Sequence, residues 1–157
     1  MANRLVVAVV ALLAVISALL LGQSKPSIQG VWRVAEVTTT GPNANTNKSP
    51  QPGLYIFTGK HYSLVRDTSL NPRVAIRDSS NVTAPEALAT FGPFIAQSGT
   101  YDVRGTTVNV TPVVAKFPAS SEKYGTSTWS FKLQDDTLSM TYLIGRNATT
   151  VRLTRVE

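Results

Sequence analysis

Beyond residue 28 the chain falls into short stretches in which apolar and polar residues alternate, rich in Val, Thr, Tyr and Phe, with Gly, Asn, Asp and Pro interrupting about every ten residues. A period of two sends successive side chains to opposite faces of a strand. Eight stretches are read this way: Gln29–Thr40, Gly53–Thr58, His61–Arg66, Ser98–Val103, Thr106–Val114, Thr126–Leu133, Thr137–Ile144 and Ala148–Val156. Short turn-forming pieces join most of them: Gly59-Lys60, Arg104-Gly105, Gln134-Asp135-Asp136 and Gly145-Arg146-Asn147. Strands adjacent in sequence should therefore pair, which predicts an all-β, eight-stranded antiparallel up-and-down barrel.

Two connections are longer. Gly41–Pro52 is polar and rich in Pro and Asn, and is expected to cover one mouth of the barrel. Within Asp67–Gln97, Thr83-Ala84-Pro85-Glu86 has the form of a capping box, so one short helix is predicted between the third and fourth strands. Gly92-Pro93 should end it, Gly92 tolerating a left-handed backbone and Pro93 being unable to continue the helix. Its stripe of Ala87, Leu88 and Phe91 needs an apolar surface, and the outer face of the Gly53–Arg66 hairpin, with Leu54 and Ile56, is the expected one.

The apolar pattern is different at the start of the chain. Leu5 to Leu21 is an unbroken run with nothing more polar than Ser17, preceded by Arg4 and followed by the small residues Gly22 and Ser24. This layout predicts a signal peptide over residues 1–24 and a single barrel domain over residues 25–157. An uncleaved membrane anchor is the rival reading. Either way the domain is exported, periplasmic or secreted, and membrane contact is expected only through that segment. The chain has no Cys, so disulfides are excluded and stability must rest on packing. The net charge of +6 is spread along the chain without a basic stripe, which argues against nucleic acid as a partner.

Strand parity points one set of side chains inward. Tyr55, Phe57, Tyr62, Tyr101, Trp129, Phe131, Met140 and Tyr142 are the candidate cavity residues, with Val34, Leu64, Val108, Val110, Val151 and Leu153 beside them. Such an aromatic lining suits a planar or amphipathic molecule. Glu36 shares the parity of Trp32 and Val34. A bulge that turns Val37 inward and leaves Glu36 in water is expected there, the alternative being a buried carboxylate that orients a ligand. His61, the single histidine, sits beside a turn and is expected in solvent. No metal site, cofactor or catalytic motif is read: there is no Gly-x-Ser-x-Gly, no His-Glu-x-x-His and no phosphate-binding glycine loop.

Gly30-Val31-Trp32 opens the first strand, and Arg152 and Arg155 lie near the end of the last. With these residues the chain resembles the lipocalin-like proteins, and GVWRVAEVTTTGP, PGLYIFTGKHYSLVR and FGPFIAQSGTYDV are similar to a bacterial lipocalin-like domain of exported proteins of undefined role. The resemblance implies that Gly30, Trp32 and an Arg form the barrel floor, with the guanidinium over the indole. Parity with Val151 and Leu153 favours Arg155; a terminal bulge would favour Arg152. The function expected is the binding of a small apolar or amphipathic molecule in the barrel. The alternative is an envelope interaction protein, its barrel filled, that recognises a protein partner through its loops.

Overall fold

The computed structural model describes residues 27–117 and 126–157, so the expected signal segment, residues 1–24, lies outside the described residues. The strands are β1 (Gly30–Thr40), β2 (Asn45–Asn47), β3 (Gly53–Phe57), β4 (His61–Asp67), β5 (Phe94–Arg104), β6 (Thr107–Ala115), β7 (Ser127–Gln134), β8 (Thr137–Ile144) and β9 (Asn147–Arg155). One helix, α1 (Ala84–Phe91), occurs among the described residues. The sheet is antiparallel in the order β2-β1-β3-β4-β5-β6-β7-β8-β9, and β9 returns to pair with β1. That last pairing closes the sheet, and with it the edges that would otherwise expose unpaired backbone. The result is a closed antiparallel barrel of eight strands, with the short β2 paired to the end of β1.

Two features differ from expectation. The short β2 has no counterpart in the sequence reading: part of the polar 41–52 connection folds back and pairs with Val37–Thr39 of β1. Counting β2, the helix stands between β4 and β5. Strand β5 also starts at Phe94, four residues before the expected Ser98, because Phe94–Gln97 pair with Leu64–Asp67.

The core follows from the alternation. Trp32, Val34, Phe57, Tyr62, Val108, Val110, Leu138, Met140, Val151 and Leu153 are buried inward-facing positions of successive strands. In β1 the alternation breaks. Val34 pairs with Leu153 and Glu36 with Arg152, so Ala35 is an extra residue and a bulge results. Beyond it Val37 turns inward, while Glu36 pairs with Arg152 at 3.1 Å.

The helix forms for the reason the sequence gives. The Thr83 hydroxyl accepts from the Glu86 amide at 3.4 Å, and the Thr83 amide donates to the Glu86 carboxylate at 3.0 Å. Its docking is otherwise. No helix residue is buried, Leu88 is 73% exposed, and Leu54 on the hairpin is left uncovered. Polar contacts hold it instead: Arg73 donates to the Thr90 carbonyl at 2.9 Å, and Lys116 donates to the carbonyls of Phe91 and Gly92. Cations at the carbonyl end of a helix meet both its dipole and its unpaired acceptors, and here they substitute for apolar packing. Gly92 ends the helix as expected, but in a right-handed conformation (φ −54°), without using its tolerance for the left-handed one.

Candidate functional site

The two ends of the barrel are built differently, and the contrast locates the site. At the floor, Trp32 is fully buried and its indole N–H donates to the Ile28 carbonyl at 2.8 Å. Trp32 and Arg155 are directly paired across β1 and β9, and the Arg155 guanidinium lies 4.1 Å from the indole centroid. Arg155 also donates to the Gln29 carbonyl at 2.8 Å and reaches Asp136 at 3.3 Å. Arg152 points outward to Glu36. Gly30 has φ +131°, and a Cβ there would stand 2.6 Å from an Arg155 nitrogen and 2.5 Å from the Glu157 carbonyl oxygen. Only glycine lets the chain turn beneath this guanidinium.

At the other end a half-open cavity of about 740 Å³ enters the barrel. Val37, Leu64, Ile95 and Trp129 supply apolar walls; Tyr55, Arg66, Gln97 and Tyr142 supply polar groups. Each wall residue sits on the mouth-side half of its strand.

Of the eight candidate residues, Tyr55, Trp129 and Tyr142 line this cavity. Phe57, Tyr62 and Met140 are inside the barrel but lie among the buried core residues, outside the cavity wall. Tyr101 and Phe131 border a separate depression beside the floor, near Ile28 and Lys60, and the Tyr101 hydroxyl donates to the Thr58 carbonyl. The aromatics of the early and late hairpins meet inside the barrel: Tyr62 packs edge-on to Trp129 with centroids 6.1 Å apart, and Phe57 stacks behind Tyr62 at 6.5 Å. Edge-to-face contact is itself a favourable arrangement, so these rings fill the barrel at their own level. The space lies above them, toward the mouth.

Arg66 is the functional residue that sequence reasoning passed over. It has the inward parity of Tyr62 and Leu64, but it stood at the end of the predicted strand, where a cation reads as a solvated terminus. The structure extends β4 to Asp67 and leaves Arg66 only 8% exposed. Its Nη1 donates to the Tyr142 hydroxyl at 3.3 Å. Gly53 is its partner across the β3–β4 ladder, and a Cβ at Gly53 would lie 2.7 Å from Arg66 Cγ and 2.8 Å from Val34 Cγ2. The missing side chain is the space that the Arg66 stem occupies.

Burial pushes the Tyr55 hydroxyl well above the ordinary tyrosine range, and the neighbouring Arg66 charge offsets only part of that rise. Tyr55 is therefore a neutral phenol at physiological pH. Burial works against the Arg66 charge, but the Tyr55 and Tyr142 oxygens outweigh it, so the guanidinium stays charged. The deeper Tyr62 is pushed up to about 12 by burial, and its hydroxyl has no hydrogen-bond partner among the described residues. His61, at the turn, is exposed and lies away from the cavity.

No family model matches the chain, and no curated protein matches it. Among solved structures, it is similar to a lipocalin-like protein from Bacteroides uniformis ATCC 8492, with a TM-score of 0.46 and 13% identity over 82% of this chain and 97% of that one. It is also similar to an uncharacterized protein from Bacteroides eggerthii DSM 20697, with a TM-score of 0.44 and 12% identity over 80% of this chain and 98% of that one.

Proposed function

We propose that the protein is an exported small-molecule binding protein that holds one small apolar or amphipathic ligand in the mouth cavity. The observation that carries this reading is the cavity itself: about 740 Å³, open on one side, with apolar walls and a few convergent polar groups. Its size falls within the range of roughly 300 to 1,000 Å³ usual for small-molecule sites. Export rests on the apolar run from Leu5 to Leu21 behind Arg4. The rival reading, a filled barrel that meets a protein partner through its loops, has the packed lower half in its favour but leaves the open upper half without a role.

The chain contains two tryptophans. Trp129 lines the cavity and Trp32 is sealed in the floor. Binding of N-phenyl-1-naphthylamine should therefore quench Trp129 emission saturably, and Trp129→Phe should abolish the quenching while leaving the enhancement of the dye's own emission. Absence of saturable binding by this dye, by fatty acids and by haem would remove the carrier reading and favour the loop-recognition alternative.

A further inference from the structure

Among the described residues, the mouth cavity contains one formal charge and no opposite charge on its wall: Arg66 lines it, and no described Asp or Glu does. The ion pairs among the described residues engage Arg73, Arg104, Arg152 and Arg155, and none engages Arg66. Asp67, next in sequence, lines an adjoining depression that Arg66 also borders, but its carboxylate is held by Arg73 at 2.6 Å. Burying a cation without a counter-charge is costly, and native structures ordinarily pair it or turn it to solvent. Here the fold does neither. Gly53 makes room for the stem, Ile95 flanks it from β5, and Tyr142 accepts a single hydrogen bond from one end of the fork. Most of the guanidinium's donors remain unused among the described residues. Tyr142, having accepted from Arg66, retains its own O–H to donate, and Tyr55, from a strand across the barrel, brings its hydroxyl to the same group.

We propose that the ligand is an organic monoanion, a carboxylic acid with an apolar body, whose carboxylate sits on the Arg66 fork beside the Tyr142 and Tyr55 hydroxyls while its body lies along Trp129, Leu64 and Ile95. This rests on the carrier reading above and narrows it to a class of ligand. A planar carboxylate matches the guanidinium fork with two parallel hydrogen bonds, and one positive charge balances one negative charge. A phosphate dianion would leave a net negative charge in the same half-buried space. Tyr55, kept protonated by burial, can act there as a donor.

The test is displacement of N-phenyl-1-naphthylamine from the purified protein at neutral pH by decanoate and by decanol, which share a chain and differ in the head group. Decanoate should displace the dye at concentrations roughly tenfold or more below those of decanol, as a charge-assisted hydrogen bond would give. Arg66→Met should erase that preference, bringing the displacing concentrations of decanoate and decanol together. Tyr142→Phe, which keeps the charge and the ring, should reduce the preference only in part; it also supplies a reading should Arg66→Met fail to fold. Dye binding with equal displacement by the two probes would overturn the inference and leave the carrier reading intact. So would a preference for decanoate that survives Arg66→Met. Failure of the dye and both probes to bind would overturn the carrier reading and this inference with it.

Discussion

The floor and the mouth of the barrel are made from the same strands and answer to opposite demands. At the floor, tight turns join β3 to β4, β5 to β6 and β7 to β8, and Trp32, Leu138 and Leu153 pack without exposed surface. At the mouth, the chain makes long excursions between β1 and β3 and between β4 and β5. There Leu143 is 76% exposed, the helix buries nothing, and a cation is taken out of water without a counter-charge among the described residues. Close packing at one end provides the stability that lets the other end hold groups in arrangements unfavourable on their own. The floor should therefore govern stability and the mouth binding, and variants at the two ends should separate these properties.

The largest expected effect is at the floor. Trp32→Ala should destabilise the protein by about 3 to 5 kcal/mol, because a fully buried indole leaves a cavity that a closed barrel cannot collapse. Denaturant unfolding measures it, and dye affinity in the folded protein should be nearly unchanged. A large loss of affinity with little loss of stability would break the division between the ends.

Gly53→Ala comes next and works on the opposite property. The added methyl meets Arg66 Cγ and Val34 Cγ2 within 3 Å. Overpacking of this kind costs roughly 1 to 3 kcal/mol, and it should push the guanidinium off the cavity wall. The preference for decanoate over decanol should fall, and titration of the two probes against this variant reads the shift.

Tyr62→Phe lies at the boundary between the two ends. Its hydroxyl is buried and without a partner among the described residues, so removing it should leave stability unchanged or raise it by about 1 kcal/mol. A loss of 1 kcal/mol or more in thermal or denaturant unfolding would mean that a water or a ligand group satisfies this hydroxyl, and would extend the wet region below the level of Trp129.

The smallest effect concerns the helix beside the mouth. Hydrogen bonds from the Thr83 side chain and backbone hold the Glu86 carboxyl below the usual carboxylate range. A lowered folded-state value means that the stabilisation is present above the ordinary glutamate pKa and is lost as pH falls through the lower, folded value. Amide protection in Ala84–Phe91, measured relative to the intrinsic exchange rate at each pH, should fall selectively at acid pH, with the floor strands unaffected. An equal loss of protection in β8 and β9 would show that the helix and barrel open together.

Much of the fold was legible because strand alternation and turn chemistry are local. Val108-Asn109-Val110 and Val151-Arg152-Leu153 name their buried sides without reference to the rest of the chain. The closed sheet follows once sequential strands pair. The candidate site was less legible, because parity reports which side a residue faces and not how deep it lies. Tyr55 and Phe57 point the same way on one strand, yet one reaches the cavity and the other the core. The helix was misplaced for a related reason: its apolar stripe was read as a demand for burial, while Arg73 and Lys116, distant in sequence, satisfied its carbonyl end. Arg66 was missed because a cation at a predicted strand end ordinarily signals solvent. An arginine in step with Tyr62 and Leu64 was the available clue.

The extra residue at Ala35 acts on β1 as a frameshift acts on a reading frame. Before it, the strand presents Trp32 and Val34 to the interior; after it, Val37 and Thr39. Unshifted, the same letters would present Glu36 to the interior in place of Val37, and the cavity would carry a carboxylate of its own. The barrel would then be an internally neutralised zwitterion, with its fixed charge answered from within. By displacing one residue, the strand exports that negative charge to Arg152 on the outer wall and leaves the cavity electrically unfinished.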